Sequence, residues 1–308
     1  MKQNTLVLSK LIILTLVLSV QTLSAQNLIV ATYNIRCENQ DDDSKGNGWK
    51  QRCPIISQLI LFHDFDVFGA QEVFQQQLND LIEQLPGYDY VGVSRDKLKD
   101  GEFSPIFYNK SKLISITSGN FWLSQTDEKH SIGWDAAYPR ICSWSRFRDK
   151  ESGACFWFFN LHMDHKGIKA REESSLLVIN KIKSMTSGEP FILTGDFNMD
   201  QTSDGYMLFA GSGIMEDSYE KADICYALNG TFNNFDAGLK TDSRIDHIFI
   251  SKGLVVLRYG VLTDSYRTKA QISPTVAKSS NLPKRDSSLL YINRLPSDHY
   301  PVKVEVLL

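Results

Sequence analysis

The sequence predicts an α/β protein in which mixed β-sheets pack together with helices on the outside. Three observations carry that prediction. Short runs rich in β-branched and aromatic residues recur along the whole chain, a large β inventory for 308 residues. Helical periodicity is confined to three segments lying between those runs. Two long β-type runs, 141–147 and 155–161, follow one another closely, an antiparallel arrangement that a purely parallel sheet does not contain.

In chain order, Lys2 and Lys10 precede the apolar Leu11-Ile-Ile-Leu-Thr-Leu-Val-Leu-Ser-Val20, and a polar stretch ends in Leu23-Ser-Ala-Gln26. This reads as a secretory signal peptide cleaved after Ala25, which implies a secreted or periplasmic protein. Its apolar core is short for a membrane span of about 20 residues, and an uncleaved anchor is the alternative. Residues 26–308 then form a single domain, since no Pro/Gly/Ser linker interrupts them. Strands are expected at 28–35, 66–70, 88–93, 105–108, 115–123, 141–147, 155–161, 191–194, 244–250, 254–261 and 302–307. Helices are expected at 55–62, at 75–85 and most clearly at 169–185, where Leu176, Ile179, Ile182 and Met185 recur every third residue.

Composition narrows the function. With 42% hydrophobic and 22% charged residues the chain is ordinary globular material. A net charge of -3 argues against holding nucleic acid by bulk electrostatics, which needs a basic footprint. The 5 cysteines lack CxxC spacing, so neither a zinc ribbon nor a redox motif is indicated. Export would permit a disulfide, for which Cys37 and Cys53 are the pair closest to bracketing one loop; Cys142 and Cys155 read as small core residues.

Many of the expected strands end in polar residues. The run 28–35 meets Asn34; 67–72 ends in Gln71 and Glu72; 156–165 carries Asn160, His162 and Asp164. FILTGDFNMD (191–200) closes on Asp196 and Asn198, Asp246 lies inside an apolar strand, and Asp298 and His299 precede the last one. Taken singly, Asn34 reads as a bulge or cap before it reads as a ligand, Glu72 as a helix-start residue and 195–198 as a turn. Asp246, flanked by Ile245 and Ile248, is costly to bury without a partner, and His299 is a chemically sensible one. Asp196 and Asn198 would face the same side of an extended chain, with Asp200 a solvated cap. An oxygen-rich donor set suits a hard cation such as Mg²⁺, Mn²⁺ or Ca²⁺ better than zinc. A hard cation beside an Asp-oriented His is equipment for phosphoryl transfer.

TYNIR (32–36), QEV (71–73), NLHMDH (160–165), GDFN (195–198), RIDHIF (244–249) and SDHYPV (297–302) occur in an order that resembles the endonuclease/exonuclease/phosphatase superfamily. That superfamily includes pancreatic deoxyribonuclease, inositol polyphosphate 5-phosphatases and neutral sphingomyelinases. The resemblance implies a four-layer α/β sandwich, two packed mixed sheets flanked by helices, and a metal-dependent hydrolase of phosphodiester or phosphomonoester bonds. It further implies that Glu72 binds the metal with Asn34 as second ligand or close neighbour, and that Asp298 is available to a metal. Asp196 would orient or deprotonate the attacking water, Asn198 and His162 would contact phosphate, and Asp246 with His299 would act as a pair at the phosphate. Tyr108 occupies the place of an active-site aromatic.

Arg36 stands two residues after Asn34, where abasic-site endonucleases carry Asp, a departure that speaks against a second metal and DNA repair. Residues 133–141 and 164–167 look like a bacterial subgroup. There Arg140 is read as an extra phosphate contact, whose guanidinium fork matches phosphate, with a structural salt bridge as the alternative; Asp135 is read as structural. Expected substrates are a lipid head group, a sugar phosphate, a phosphorylated glycan or nucleic acid, the last making the protein a secreted nuclease. No stable protein partner is evident and a monomer is expected. A zinc metallo-β-lactamase-like hydrolase is disfavoured because Asn160 replaces the first His of that signature; a non-catalytic binding module is disfavoured because Glu72, Asp196 and His299 are all present.

Overall fold

The computed structural model describes residues 27–98, 100–126, 128–269 and 291–308; the signal-peptide reading of 1–25 lies outside them. The first half contains β1 (Asn27–Asn34), α1 (Gln40–Ser44), α2 (Trp49–Phe62), β2 (Val67–Gln71), β3 (Val73–Phe74) and α3 (Gln75–Gln84). β4 (Tyr88–Val91), β5 (Glu102–Phe103), β6 (Ile106–Asn109), β7 (Leu113–Trp122), β8 (Ile141–Asp149) and β9 (Cys155–His162) follow. Then come α4 (Ile168–Thr186), β10 (Phe191–Asp196), α5 (Asp204–Ala210), β11 (Met215–Asp217), α6 (Ser218–Lys221) and β12 (Ile224–Tyr226). β13 (Asp246–Ser251), β14 (Val255–Val261), β15 (Tyr266–Lys269), β16 (Tyr291–Arg294) and β17 (Val302–Leu307) complete the described residues.

Two sheets dominate. The 7-stranded sheet runs β12-β14-β17-β1-β2-β6-β4 and the 6-stranded sheet runs β11-β13-β10-β9-β8-β7. Both are mixed: β1 is parallel to β2 and antiparallel to β17, and β10 is parallel to β9 and antiparallel to β13. Strand alternation sorts the residues into layers. Leu28 and Val30 of β1, Phe156 and Phe158 of β9, Ile192 of β10 and Ile248 and Ile250 of β13 meet in one core between the sheets. The alternate residues Ala31 and Tyr33 pack outward with Ile56 and Ile60 of α2 and Leu78 and Leu81 of α3. Phe159, Leu161 and Leu193 pack outward with Val178 and Ile182 of α4 and Phe209 of α5. Three apolar interfaces separate four layers, so the architecture is the expected α/β sandwich. Each fully buried large apolar side chain contributes about 1.5–3 kcal/mol.

The three expected helices are α2, α3 and α4, and α2 starts earlier than its periodicity indicated, at Trp49, with Pro54 inside it. The short α1, α5 and α6 and the two- and three-residue strands carried too few residues to show a period. All five cysteines are free: Cys53 and Cys142 are buried, Cys37 and Cys155 half-buried and Cys225 exposed. The bridge considered for Cys37 and Cys53 is therefore not formed.

Candidate active site

The inter-sheet face changes character along the strands. It is apolar at Leu28, Val30, Phe156, Phe158, Ile192 and Ile250, and then turns polar at Thr32, Gln71, Asn160 and Thr194. These four form a buried belt. Gln71 Nε2 donates to Thr32 Oγ1 (3.0 Å) and to Asn160 Oδ1 (2.7 Å), and Thr194 Oγ1 donates to the same Oδ1 (3.2 Å). Asn160 Nδ2 donates to the carbonyls of Ala70 (2.8 Å) and Pro105 (3.0 Å), tying one sheet to the other. Asn160 is thus a strut beneath the site rather than a member of it.

One step further along the same face lie Asn34, His162, Asp196 and Asp246, each at the end of its strand. Register does the assembling: Asp196 is opposite Asp246 on one side and His162 on the other. Asp196 Oδ2 lies 2.9 Å from Asn34 Nδ2, 3.6 Å from His162 Nε2 and 3.9 Å from His299 Nε2. His299 Nδ1 donates to Asp246 Oδ2 at 2.8 Å. Burial opposes a charge on this imidazole, yet the hydrogen-bonded Asp246, with Asp196 beyond it, holds its pKa well above the usual value. His162 Nδ1 donates to Glu102 Oε1 at 3.2 Å, which turns Nε2 toward Asp196.

The loops that follow the strands are wound tightly. Arg36, Glu72, Asn198 and Asn234 line the cleft and all have left-handed φ, between 50° and 59°. A non-glycine residue held there costs about 1–3 kcal/mol and is characteristic of functional sites. The extended geometry expected for Asp196 and Asn198 is absent for this reason: Asn198 turns back, its N–H donating to Asp196 Oδ1 (2.9 Å) and its Nδ2 to the Met163 carbonyl (3.0 Å). Asn198 still reaches the cleft, on a turn rather than a strand. Asp200 accepts from Thr202 N and Oγ1, the cap expected of it. Gly195 lets β10 lie against β9, since a Cβ there would sit 2.4 Å from the Leu161 carbonyl oxygen.

Glu72 and Asp298 form the acidic end of the cleft. Glu72 is buried, which raises its carboxyl, but His162 and the Cys37 N–H outweigh this and hold it at about 2. Asp298 is pushed up to about 6 by burial and by the charge of Glu72, although His299 pulls it down. Two crowded oxygen donors that repel one another fit a hard cation. Asn34 stands next to Glu72, the close-neighbour place that the resemblance allowed for it. Its Oδ1 accepts the Arg36 N–H (3.0 Å), while its Nδ2 faces Glu72 Oε1 (3.2 Å) as well as Asp196, so it bridges the carboxylates as a donor instead of offering an oxygen. Arg36 Nη1 lies 3.5 Å from Asp298 Oδ2 and 3.9 Å from Glu72 Oε2. Among the described residues, Asp196, Asp246 and His299 also approach closely enough to hold a metal; the hydrogen bond inside that group already engages His299.

Tyr108 is not part of the cleft. It pairs with Val67 at the beginning of β2, whereas Glu72 follows the end of that strand, about 13 Å or more away at 3.3 Å per residue. Its ring packs on Phe147 and its hydroxyl faces Asp89 at 3.4 Å. Antiparallel pairing is the reason: the cleft end of β6 is Ile106, not Tyr108. Arg140 is in the cleft and in a salt bridge, Nε to Asp164 Oδ1 at 3.1 Å. Asp135 caps the start of α4 by accepting the Ala170 N–H. The cleft, about 470 Å³, also includes Arg95, Glu102, Tyr138, His165 and Phe232, none singled out by sequence reasoning. Arg95 stands two residues beyond an expected strand, and the rule that found the other polar strand endings, applied there, would have found it.

A family model described as the endonuclease/exonuclease/phosphatase family matches residues 31–299. The chain belongs to the endonuclease/exonuclease/phosphatase family. Its members' phosphoester chemistry is what the cleft offers groups for. Among solved structures, a family protein of Bacteroides thetaiotaomicron is 52% identical with a TM-score of 0.84, covering 91% of this chain and 98% of that one. A mannosyl-6-phosphatase of the same organism is also 52% identical, with a TM-score of 0.83 and coverage of 91% and 100%. A third, from Bacteroides vulgatus, is 33% identical with a TM-score of 0.77 and coverage of 92% and 99%. A protein of Acanthamoeba polyphaga mimivirus is 34% identical over 166 residues, 49% of this chain and 60% of that protein, and a second is 20% identical over 304 residues, 83% and 44%. The chain thus spans about half the length of these curated relatives.

Proposed function

We propose that this protein is a divalent-metal-dependent phosphoesterase that releases phosphate from a phosphorylated sugar outside the cytoplasm. The observation that carries the hydrolytic reading is the convergence on one cleft of Asp196, the His299–Asp246 pair, His162 and Asn198. The relative named a mannosyl-6-phosphatase, 52% identical across nearly the full length of both chains, supports a sugar phosphate as the substrate class. Lys2, Lys10 and the apolar 11–20 support export.

In this reading Asp196 Oδ2 receives a proton from the attacking water, with Asn34 Nδ2 and the Asn198 N–H fixing the carboxylate's orientation. His299, kept protonated by Asp246, places positive charge against the phosphoryl oxygens as negative charge develops there. Asn198 and His162 contact the non-bridging oxygens. Glu72 and Asp298 would hold Mg²⁺, Mn²⁺ or Ca²⁺, which when bound neutralises phosphate charge as a Lewis acid.

The test is hydrolysis by purified protein of mannose 6-phosphate, phosphorylated mannosyl glycans, inositol phosphates, sphingomyelin and nucleic acids, with and without EDTA, read as free phosphate for the monoesters and as the separated cleavage products for the diesters. Release from sugar phosphates, abolished by EDTA and restored by a divalent cation, is expected. Turnover that survives chelation would refute the metal mechanism, and cleavage confined to nucleic acid would replace the sugar reading with a nuclease.

A further inference from the structure

One wall of the cleft has no part in the proposed chemistry, yet it is built from continuous contacts. Arg95 Nη1 lies 2.8 Å from Glu102 Oε1, the same oxygen that accepts from His162. The Arg95 guanidinium carbon stands 5.5 Å from the centre of the Tyr138 ring, which stacks at 6.0 Å and 17° on His165. His165 Nδ1 in turn accepts from Arg140 Nη2 at 3.0 Å. Two arginines are therefore tied into one wall, and Glu102 and His162 link that wall to Asp196.

Both arginines are more than nine-tenths buried, and neither is saturated. Arg140 Nη1 and Arg95 Nε have no hydrogen-bond partner among the described residues. Arg140 has one carboxylate in close contact, Asp164 at 3.1 Å; Arg95 has Glu102 at 2.8 Å, while Asp96 lies 3.9 Å from its Nε, beyond hydrogen-bond reach. Asp164 is strongly shared, accepting the N–H groups of Ala137, Lys166 and Gly167 as well. Leaving guanidinium N–H groups buried without acceptors is costly, and an anion carrying several acceptor oxygens would satisfy them. The two cations also repel one another: burial first and then the charge of Arg140 lower the pKa of Arg95, against the pull of Glu102. An anion shared between them removes that repulsion.

We propose that Arg95 and Arg140 form a clamp for the terminal oxygens of a phosphomonoester dianion, selecting monoesters over diesters. This rests on the reading of the cleft as a phosphoesterase site. A monoester presents three terminal oxygens and two negative charges. A diester presents two terminal oxygens and one charge, and its second ester group would lie against this wall in place of an oxygen. The fork geometry of two guanidiniums matches the former, and the exposed Tyr138 ring beside them supplies an apolar face for the body of the substrate.

The test compares wild type with Arg95→Met, Arg140→Met and Arg140→Lys. Turnover of para-nitrophenyl phosphate, mannose 6-phosphate and bis-para-nitrophenyl phosphate is measured, and binding of inorganic phosphate is followed by calorimetry on the same metal-loaded samples. The clamp predicts a fall in kcat/KM of about 100-fold for the monoesters, a change under about threefold for the diester, and weakened phosphate binding that Arg140→Lys does not restore. Equal losses on monoesters and diester, or unchanged phosphate affinity in both Met variants, would overturn it. Thermal unfolding identifies any variant that fails to fold, and the remaining arginine variant then decides. If wild type turns over no sugar phosphate but the variants lose phosphate binding and monoester preference, the clamp stands and the sugar reading falls. If wild type turns over sugar phosphate and the variants keep its monoester-to-diester ratio, the clamp falls and the sugar reading stands.

Discussion

His299 Nδ1 and Asp246 Oδ2 are 2.8 Å apart, although 53 residues separate them in the chain, and both side chains are buried. The pair fixes the orientation of the imidazole and turns Nε2 toward Asp196. Asp246→Asn and His299→Ala should each lower kcat by about 10²–10⁴, with circular dichroism unchanged. A near-normal rate for His299→Ala on every hydrolysed substrate would show that the pair is structural.

Glu72 should control the need for metal more than the rate at saturation. Glu72→Gln removes the charge and keeps the shape, so the cation concentration for half-maximal activity should rise at least about tenfold. Calorimetric titration with Mn²⁺ should show the same loss without substrate. An unchanged titration would place the cation elsewhere in the cleft.

Acid stability should depend on Asp164. Burial raises its carboxyl, but the N–H groups of Gly167 and Lys166, with Arg140, hold it at about 2, against about 3.9 in the unfolded chain. The folded pKa is the lower one. Stabilisation is therefore complete above about pH 4 and is lost as pH falls from there toward about 2. Asp164→Asn should melt lower than wild type at neutral pH and lose less on acidification between pH 5 and 3. Parallel melting-temperature profiles would contradict the assignment.

Gly195→Ala should damage both stability and catalysis. The added methyl would meet the Leu161 carbonyl at 2.4 Å, and backbone in a paired strand cannot step aside. Overpacking of this kind costs about 1–3 kcal/mol, measurable by urea unfolding, and displacement of Asp196 should lower kcat as well. Full activity in a stable variant would mean that the two strands can separate there without moving the carboxylate.

The layers of the fold were legible because a strand repeats every two residues and a helix every three to four. Leu28 and Val30 alternate with Ala31 and Tyr33 in the sequence as they do across the sheet. Asp246 and His299 could be matched because a carboxylate in an apolar strand requires a partner. Tyr108 was misplaced because the motif shows that an aromatic lies on β6, while only the pairing with Val67 shows at which end. Asn198 was placed on the correct side for the wrong reason, since a left-handed turn leaves no periodic trace.

By itself the sequence determined the alternating faces, the polar strand endings and their oxygen-rich chemistry, because each depends on residues near one another in the chain. The tertiary structure alone decided which endings meet. Strand register sets Asp196 between His162 and Asp246, and the packing of one sheet on the other brings Asn34 and Glu72 to the same place. It also decided that Arg95, Tyr138, His165 and Arg140, up to 70 residues apart by their numbers, share one wall. Contacts between distant segments arise from register and sheet packing, and no local pattern encodes them.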